Sequence, residues 1–172
     1  RSNATTAFSD ARQRLPLSFL SQALTMQATQ IVKLTPQSLW RGLQVSLLDG
    51  STVRLRPYGD IPDHFPPHGN QHKSSPYWCL MRVVVGFCAF TGAALRCGFG
   101  SLKVSEQTLA CDLILEQALG SCVYIGDRNF GVYRIVQTVR AVGAHALVRL
   151  NEPRVRKLLG RTPRPGQYPV RW

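Results

Sequence analysis

Acidic residues are scarce in this chain: nine Asp and Glu stand against 21 Lys and Arg, which gives a formal net charge of +12. So positive a surface disfavours basic partners and favours a polyanion, of which nucleic acid is the first choice. Arginine supplies most of the charge, and its planar guanidinium group binds two phosphate oxygens at once. The basic residues are spread from Arg12 to Arg171 and do not lie on one face of an amphipathic helix, which argues against a membrane surface as the partner.

Long apolar runs are also absent from the sequence. No uninterrupted stretch reaches the roughly 20 residues that a membrane span needs, and the first residues lack the charged and then apolar layout of a signal peptide. We therefore expect a cytoplasmic protein without a membrane partner. With 172 residues, 44% of them hydrophobic, the chain is long enough for one globular domain with a sizeable core. Residues 2–4, Ser-Asn-Ala, resemble a cloning remnant.

Cysteine and histidine patterns typical of metal sites are missing as well. The five cysteines form no Cys-x-x-Cys pair, and an odd number leaves one out of any complete set of disulfides. The first three recur every nine residues, which matches no zinc-ligand spacing, so we expect reduced cysteines in the core. His64, His68 and His72 recur every four residues, but Pro66 and Pro67 prevent the helix that would bring them onto one face. We expect these histidines in a solvated loop.

The first third of the chain has the pattern of two helices and a strand. Residues 8–32 keep helical spacing in two pieces: Ser9 or Asp10 is able to cap the first, and Pro16 begins the second. Residues 44–56 have the pattern of a strand interrupted by an Asp-Gly pair. The helices are therefore expected to precede the sheet.

A loop and a hairpin follow. Residues 57–76 are rich in proline and poor in apolar side chains, which predicts a long loop, and long loops inside compact domains are usually functional or disordered. Residues 81–90 and 93–99 are dense in β-forming side chains on either side of Thr91-Gly92, which predicts a β-hairpin.

Helices and strands alternate in the second half. Residues 105–120 and 131–142 have amphipathic helical spacing, and residues 146–150 form a further strand. Residues 122–126 are wholly apolar, as in a strand buried on both faces of a parallel sheet. The order strand, strand, strand, helix, strand, helix, strand predicts a mixed α/β sheet with helices packed on it. In such sheets ligands bind at the carboxyl ends of the parallel strands.

Two aspartates end apolar runs in this pattern. Asp49 follows Val45-Ser-Leu-Leu, and Asp127 follows Val123-Tyr-Ile-Gly. A carboxylate at the end of a strand loses hydration unless a positive group compensates it, so this pair is a candidate ion site. The alternative is that both are turn or capping residues, because Asp before Gly commonly opens a turn.

Several short motifs occur together in an order that resembles one family. They are Leu48-Asp49-Gly50-Ser51, Phe90-Thr91-Gly92, Ser105-Glu106-Gln107, Gly126-Asp127-Arg128-Asn129-Phe130 with Tyr133, and Leu147-Val148-Arg149-Leu150. Each motif alone is common, but the set in this order resembles the DDE transposases of bacterial insertion sequences. The resemblance extends from about residue 8 to the end of the chain.

The resemblance implies an RNase H-like fold and a metal-dependent DNA transposase. Residues 1–40 would be an N-terminal helical segment, 41–152 the catalytic core, and 153–172 a tail or the start of a truncated insertion. Asp49 and Asp127 fall on the positions of two catalytic metal ligands, for Mg²⁺ or Mn²⁺. The implied partner is double-stranded DNA, both transposon ends and target, with the protein acting as a homodimer and associated with the nucleoid.

One part of the family pattern is missing. Family members carry a third acidic ligand, a glutamate on a later helix in a Tyr, Arg, Glu, Lys motif, and this chain has only Glu106, Glu116 and Glu152 as substitutes, none of them in that motif. Glu106 is expected to cap a helix. Because two carboxylates bind a metal pair more weakly than three, we expect little strand cleavage or transfer from this chain by itself.

Two other functions are compatible with the same basic surface. A non-catalytic nucleic-acid-binding module would use the arginines to contact a phosphate backbone without cleavage, and an RNase H-like nuclease or Holliday-junction resolvase would share the fold. The residues predicted to contact DNA are Arg128, Asn129, Arg134, Arg149, Arg154 and Arg156, with Arg140 as a further candidate.

Overall fold

The computed structural model describes residues 5–35, 39–67, 78–117 and 120–172. The elements in chain order are α1 (Thr5–Gln13), α2 (Leu17–Leu34), β1 (Leu39–Trp40), β2 (Leu43–Leu55), α3 (Ile61–His64), β3 (Cys79–Cys88), β4 (Ala94–Ser101), α4 (Glu106–Gln117), β5 (Cys122–Gly126), α5 (Tyr133–Ala141), β6 (His145–Val148) and α6 (Glu152–Leu159). The two N-terminal helices, the hairpin β3–β4 and the alternation from α4 to β6 confirm the predicted element order.

A six-stranded mixed sheet organises the domain. Its order is β4-β3-β2-β5-β6, with β1 paired to β2 outside this path. Strands β2, β3 and β4 are antiparallel neighbours, whereas β5 runs parallel to β2 and β6 runs parallel to β5. The sheet therefore has the first of its long strands in the middle, with a hairpin on one side and two crossover strands on the other. This is the RNase H-like mixed α/β fold that the sequence predicts.

The main core lies between one face of this sheet and helices α4 and α5. Side chains alternate across a strand, and on β2 the face that includes Leu48 packs against Leu113 of α4, near Gly86 of β3. The core side chains are Leu48, Val84, Leu109, Ala110, Cys111, Leu113, Ile114, Cys122, Tyr124, Phe130, Ile135, Val139 and Ala144. A smaller cluster joins α2 to the same sheet through Ala28, Cys88 and Leu95. The helices are therefore held on the sheet by apolar burial.

The opposite face of the sheet is apolar but only half covered. Leu47 and Val53 of β2 are 38% and 40% exposed, Phe99 of β4 is 41% exposed, and Leu147 of β6 is 61% exposed. The strand registers place these four side chains on the same face. Asp49 has the same parity on β2 and belongs to this face.

Local signals were wrong at two places. The Asp-Gly pair does not interrupt β2, because Asp49 and Gly50 pair with Val85 and Val84 of β3 inside one continuous strand. A ladder on β3 outweighs the turn preference of a dipeptide, because that preference is weak and local. Ser9 and Asp10 lie within α1 and therefore do not cap it.

Three elements went unpredicted. Strand β1 is only two residues long, and α3 is a single helical turn inside the predicted loop of residues 57–76, of which 68–77, with His68 and His72, fall outside the described residues. Helix α6 is capped by Asn151, whose Oδ1 accepts a hydrogen bond of 3.0 Å from Arg154 N, and it ends at Gly160, with φ of 66°. No helix among the described residues is long and apolar enough to cross a membrane.

The cysteines are all free, and four of the five are buried. Burial raises the pKa of Cys122 to about 11, so this thiol stays protonated and cannot serve as a thiolate ligand at neutral pH. Cys97 is exposed on β4, which corrects the expectation that every cysteine lies in the core.

Candidate functional site

Asp49 is held by the central strand of the sheet. It lies in the middle of β2, between antiparallel β3 and parallel β5, and its side chain is exposed. Its Oδ1 accepts a hydrogen bond of 2.9 Å from Gly50 N. Strands on both sides fix the backbone, so this carboxylate is rigidly placed although it faces solvent.

Asp127 directly follows β5, in a tight turn that a buried side chain anchors. Its Oδ1 accepts a hydrogen bond of 2.8 Å from Asn129 N, and its carbonyl oxygen accepts one of 3.1 Å from Phe130 N. Phe130 is only 2% exposed, and it packs so closely on Gly126 that a Cβ there would lie 2.8 Å from Phe130 Cβ. The exposed carboxylate of Asp127 thus lies between a buried strand and a buried ring.

The strand register brings the two aspartates to the same edge. Strands β2 and β5 run parallel, and their last registered pair is Leu48 with Gly126. Asp49 and Asp127 are the next residues on the two chains, and neighbouring strands lie about 4.8 Å apart. Among the described residues no group of three His, Cys, Asp or Glu side chains is arranged to hold a metal ion, so this pair is not joined there by a third carboxylate.

The three glutamates predicted as possible substitutes have different surroundings. Glu116 is exposed on α4. Glu152 begins α6 and forms an ion pair of 2.6 Å with Arg156. Glu106 begins α4, where the Ser105 hydroxyl caps the helix by accepting a hydrogen bond of 3.0 Å from Thr108 N. The side chain of Glu106 reaches Asn129 and Gly50, contacts that the sequence pattern of a helix cap did not reveal.

The residues predicted to contact DNA fall into two groups. Arg128 and Arg149 are exposed, and so is Arg134, which donates one hydrogen bond of 3.2 Å to the Thr108 hydroxyl. Arg156 is exposed but paired with Glu152. Arg154 is committed to the protein, because its Nη1 donates to the carbonyl oxygens of Arg128 and Gly131, each at 2.9 Å.

Comparison with known proteins identifies the family. The family model "Transposase DDE domain" matches residues 40–166, which is most of the chain. The chain belongs to this DDE transposase family.

Similarity to individual proteins is low. No curated protein matches the sequence. A solved structure described as "Mos1 transposase paired-end complex with left transposon end" matches with a TM-score of 0.38 and 9% identity, covering 78% of this chain and 43% of that one. The chain therefore spans less than half the length of that transposase.

Proposed function

We propose that this domain catalyses phosphodiester cleavage and strand transfer on DNA, with Asp49 and Asp127 as its catalytic metal ligands. The observation that carries the proposal is the parallel register of β2 and β5, which leaves both aspartates immediately after the registered pair of Leu48 and Gly126. Two exposed carboxylates on rigid neighbouring strands are the hard oxygen donors that Mg²⁺ and Mn²⁺ prefer. Membership of the DDE transposase family supports the same assignment.

Asp49 and Asp127 would share the work of holding divalent cations at the edge of the sheet. Bound there, the ions supply charge stabilisation for an in-line attack of water or a 3′-hydroxyl on a DNA phosphorus. The protein's own contribution is placement: Asp49 is fixed by its two neighbouring strands, and Asp127 by the Asn129 amide and the buried Phe130 ring.

Electrostatics supports DNA as the substrate. The net charge of +12 attracts a polyanion over distances up to the Debye length. Arg128 follows Asp127 directly, and Arg149 donates its backbone N–H to Gly126 O at 3.1 Å, so both lie beside the carboxyl end of β5. Their exposed guanidinium groups are available to contact phosphates that flank the metal site.

We expect binding to duplex DNA to depend strongly on salt and little on sequence. Four to eight phosphate contacts give a plot of log affinity against log salt with a slope of about −4 to −7, because each contact releases condensed counterions. Fluorescence anisotropy with two unrelated duplexes measures the slope. Arg128→Ala and Arg149→Ala should each reduce its magnitude by about one. Arg12→Ala, on α1, makes the same change in charge away from the site and serves as the control.

A flat salt dependence between low and physiological ionic strength would show that the arginines do not form a DNA surface. Steep dependence that is identical in all three variants would place the DNA surface elsewhere on the chain.

We expect little strand cleavage from this chain when it is mixed with supercoiled plasmid and Mg²⁺ or Mn²⁺. The described residues provide two carboxylates without a grouped third, and in-line phosphoryl transfer requires both ions to be held in register. Conversion of supercoiled to nicked plasmid measures the activity. Slow nicking that disappears in both Asp49→Asn and Asp127→Asn would support the assigned reaction.

Robust nicking lost in both variants would contradict only the expected weakness of this site, and would indicate that a glutamate completes it. Nicking that survives both substitutions would come from a contaminating nuclease and would count against the proposed catalytic pair.

A further inference from the structure

Glu106 is the acidic side chain whose surroundings the proposed metal site leaves unexplained. Its side chain is only 24% exposed, and its Oε1 lies 4.0 Å from Nε of Arg82, which is 23% exposed. Arg82 in turn donates through Nη1 to the carbonyl oxygens of Leu102 (3.3 Å) and Val104 (2.5 Å). Within the described part of the chain its Nε has no hydrogen-bond partner. A half-buried carboxylate at the start of α4 is therefore held close to the sheet by a fixed cation.

Gly50 allows this carboxylate to lie directly on β2. A Cβ at Gly50 would be 2.8 Å from Cδ and 2.9 Å from Oε2 of Glu106, closer than real Cβ contacts permit. Gly50 has no positive φ, so the close approach, and not backbone conformation, is the reason to place glycine here. Because side chains alternate along a strand, Glu106 contacts β2 from the face opposite Asp49, one residue away.

The other end of the contact is the Asp127 turn. Glu106 Oε2 accepts a hydrogen bond from Asn129 Nδ2. The neighbouring Gln107 donates through Nε2 to Asn129 Oδ1 (3.0 Å) and to Asn129 O (3.1 Å). The backbone N–H of Asn129 donates to Asp127 Oδ1. Asn129 is thus bonded on its side chain to the start of α4 and on its backbone to the proposed metal ligand.

We propose that Glu106 and Asn129 are positioning residues that fix the separation of Asp49 and Asp127. Glu106 bridges the backbone of β2 at Gly50 to the turn that carries Asp127, from the side of the sheet away from Asp49. This role rests on the proposed function, since it presupposes that the two aspartates bind a cation together. It reassigns Asn129, which the sequence suggested as a DNA contact, because its amide is committed to Glu106 and Gln107.

Partners in the outer shell of a metal site typically change metal affinity by about ten- to a hundredfold when they are lost. The test is Mn²⁺ affinity of the intact chain, measured by electron paramagnetic resonance, with urea unfolding of each variant measured in parallel. Gly50→Ala is the sharpest variant, because it displaces the end of a flexible side chain and changes no charge. We expect it and Asn129→Ala to weaken Mn²⁺ binding about tenfold.

Two controls are matched to these changes. Gly98→Ala adds the same methyl group to β4, where the nearest atom, Leu109 O, would be 3.6 Å away, an ordinary contact. Glu116→Gln removes a charge from the same helix as Glu106 at an exposed position. Both should leave Mn²⁺ affinity within about twofold of the unchanged protein.

Replacement of Glu106 itself separates position from charge. Glu106→Gln keeps an oxygen that accepts from Asn129 Nδ2 and should retain most of the Mn²⁺ affinity, whereas Glu106→Ala should lose about tenfold. Equal losses in both variants would show that the charge acts at a distance and would overturn the positioning role. Unchanged affinity in Gly50→Ala and Asn129→Ala would overturn it as well.

The outcome distinguishes this inference from the function on which it rests. If Asp49→Asn and Asp127→Asn abolish Mn²⁺ binding but Gly50→Ala and Asn129→Ala do not weaken it, the positioning role fails and the metal site stands. If the aspartate variants bind Mn²⁺ as the unchanged protein does, or if that protein binds none, the proposed site and the positioning role both fail. Loss of urea stability without loss of affinity in the Glu106 and Asn129 variants would assign them a purely structural role.

Discussion

Replacement of either Asp49 or Asp127 by Asn is expected to weaken Mn²⁺ binding by about a hundredfold, because affinity for a hard divalent cation follows the number of charged oxygen ligands. Asn keeps the size of the side chain and an oxygen that accepts hydrogen bonds. The contacts from Gly50 N to Asp49 and from Asn129 N to Asp127 can therefore persist. Loss of metal binding would then report the charge and not a rearranged turn. Isothermal titration with Mn²⁺ measures the change.

The same two variants should not unfold the protein. Both aspartates are exposed, and removing one of two neighbouring carboxylates relieves like-charge repulsion, so the free energy of unfolding should stay equal or rise slightly. Asp112→Asn, at an exposed position on α4, is the control and should alter neither property. Mn²⁺ affinity that survives in both aspartate variants would refute the shared site. A large loss of stability would show that the carboxylates have a structural role.

Phe130→Ala is expected to have the largest effect on stability, lowering the free energy of unfolding by about 3–5 kcal/mol. Phe130 is 2% exposed, it packs on Gly126 at the end of β5, and it belongs to the main core with Ile135 and Leu113. Its removal deletes buried apolar surface and leaves a cavity that a rigid strand and two helices cannot close. Urea denaturation followed by circular dichroism measures the loss.

Phe90→Ala provides the matched comparison. Phe90 follows β3 in the turn of the hairpin and is 53% exposed, so the same substitution should cost less than about 1 kcal/mol. Because the Phe130 ring also anchors the Asp127 turn, Phe130→Ala should weaken Mn²⁺ binding even in its folded fraction. Equal stability losses for the two phenylalanine variants would mean that the ring of Phe130 is not a core side chain.

Much of the fold was readable from the sequence because its signals are local. The apolar run at residues 122–126 predicted the buried strand that became β5, and the periodicity around Leu109 and Leu113 predicted the buried face of α4. The ordered motifs predicted the RNase H-like sheet and the transposase family. The short elements β1 and α3 were not predicted, since a two-residue strand and a single helical turn carry too few residues for a periodic pattern.

The candidate site was only half readable. Asp49 and Asp127 stand out because each follows an apolar run, but their assignment as metal ligands stays a prediction. Asn129 gave no sign of its bonds to Glu106 and Gln107, which lie more than 20 residues earlier in the chain. A side chain that reaches across the molecule leaves no trace in local spacing. Arg154 likewise looked like a free cation and is committed to two backbone carbonyls.

The sequence by itself determined the charge of the molecule, the positions of most helices and strands, and the two acidic residues worth testing, because composition and periodicity are properties of neighbouring residues. Tertiary structure decided that β2 continues through Asp49 and Gly50, because pairing on both sides of the strand outweighs the turn preference of two residues. It also decided what Glu106 does. Only the packing of α4 on β2 brings that carboxylate against Gly50 and within reach of Asn129, and no local pattern encodes a contact between three distant segments.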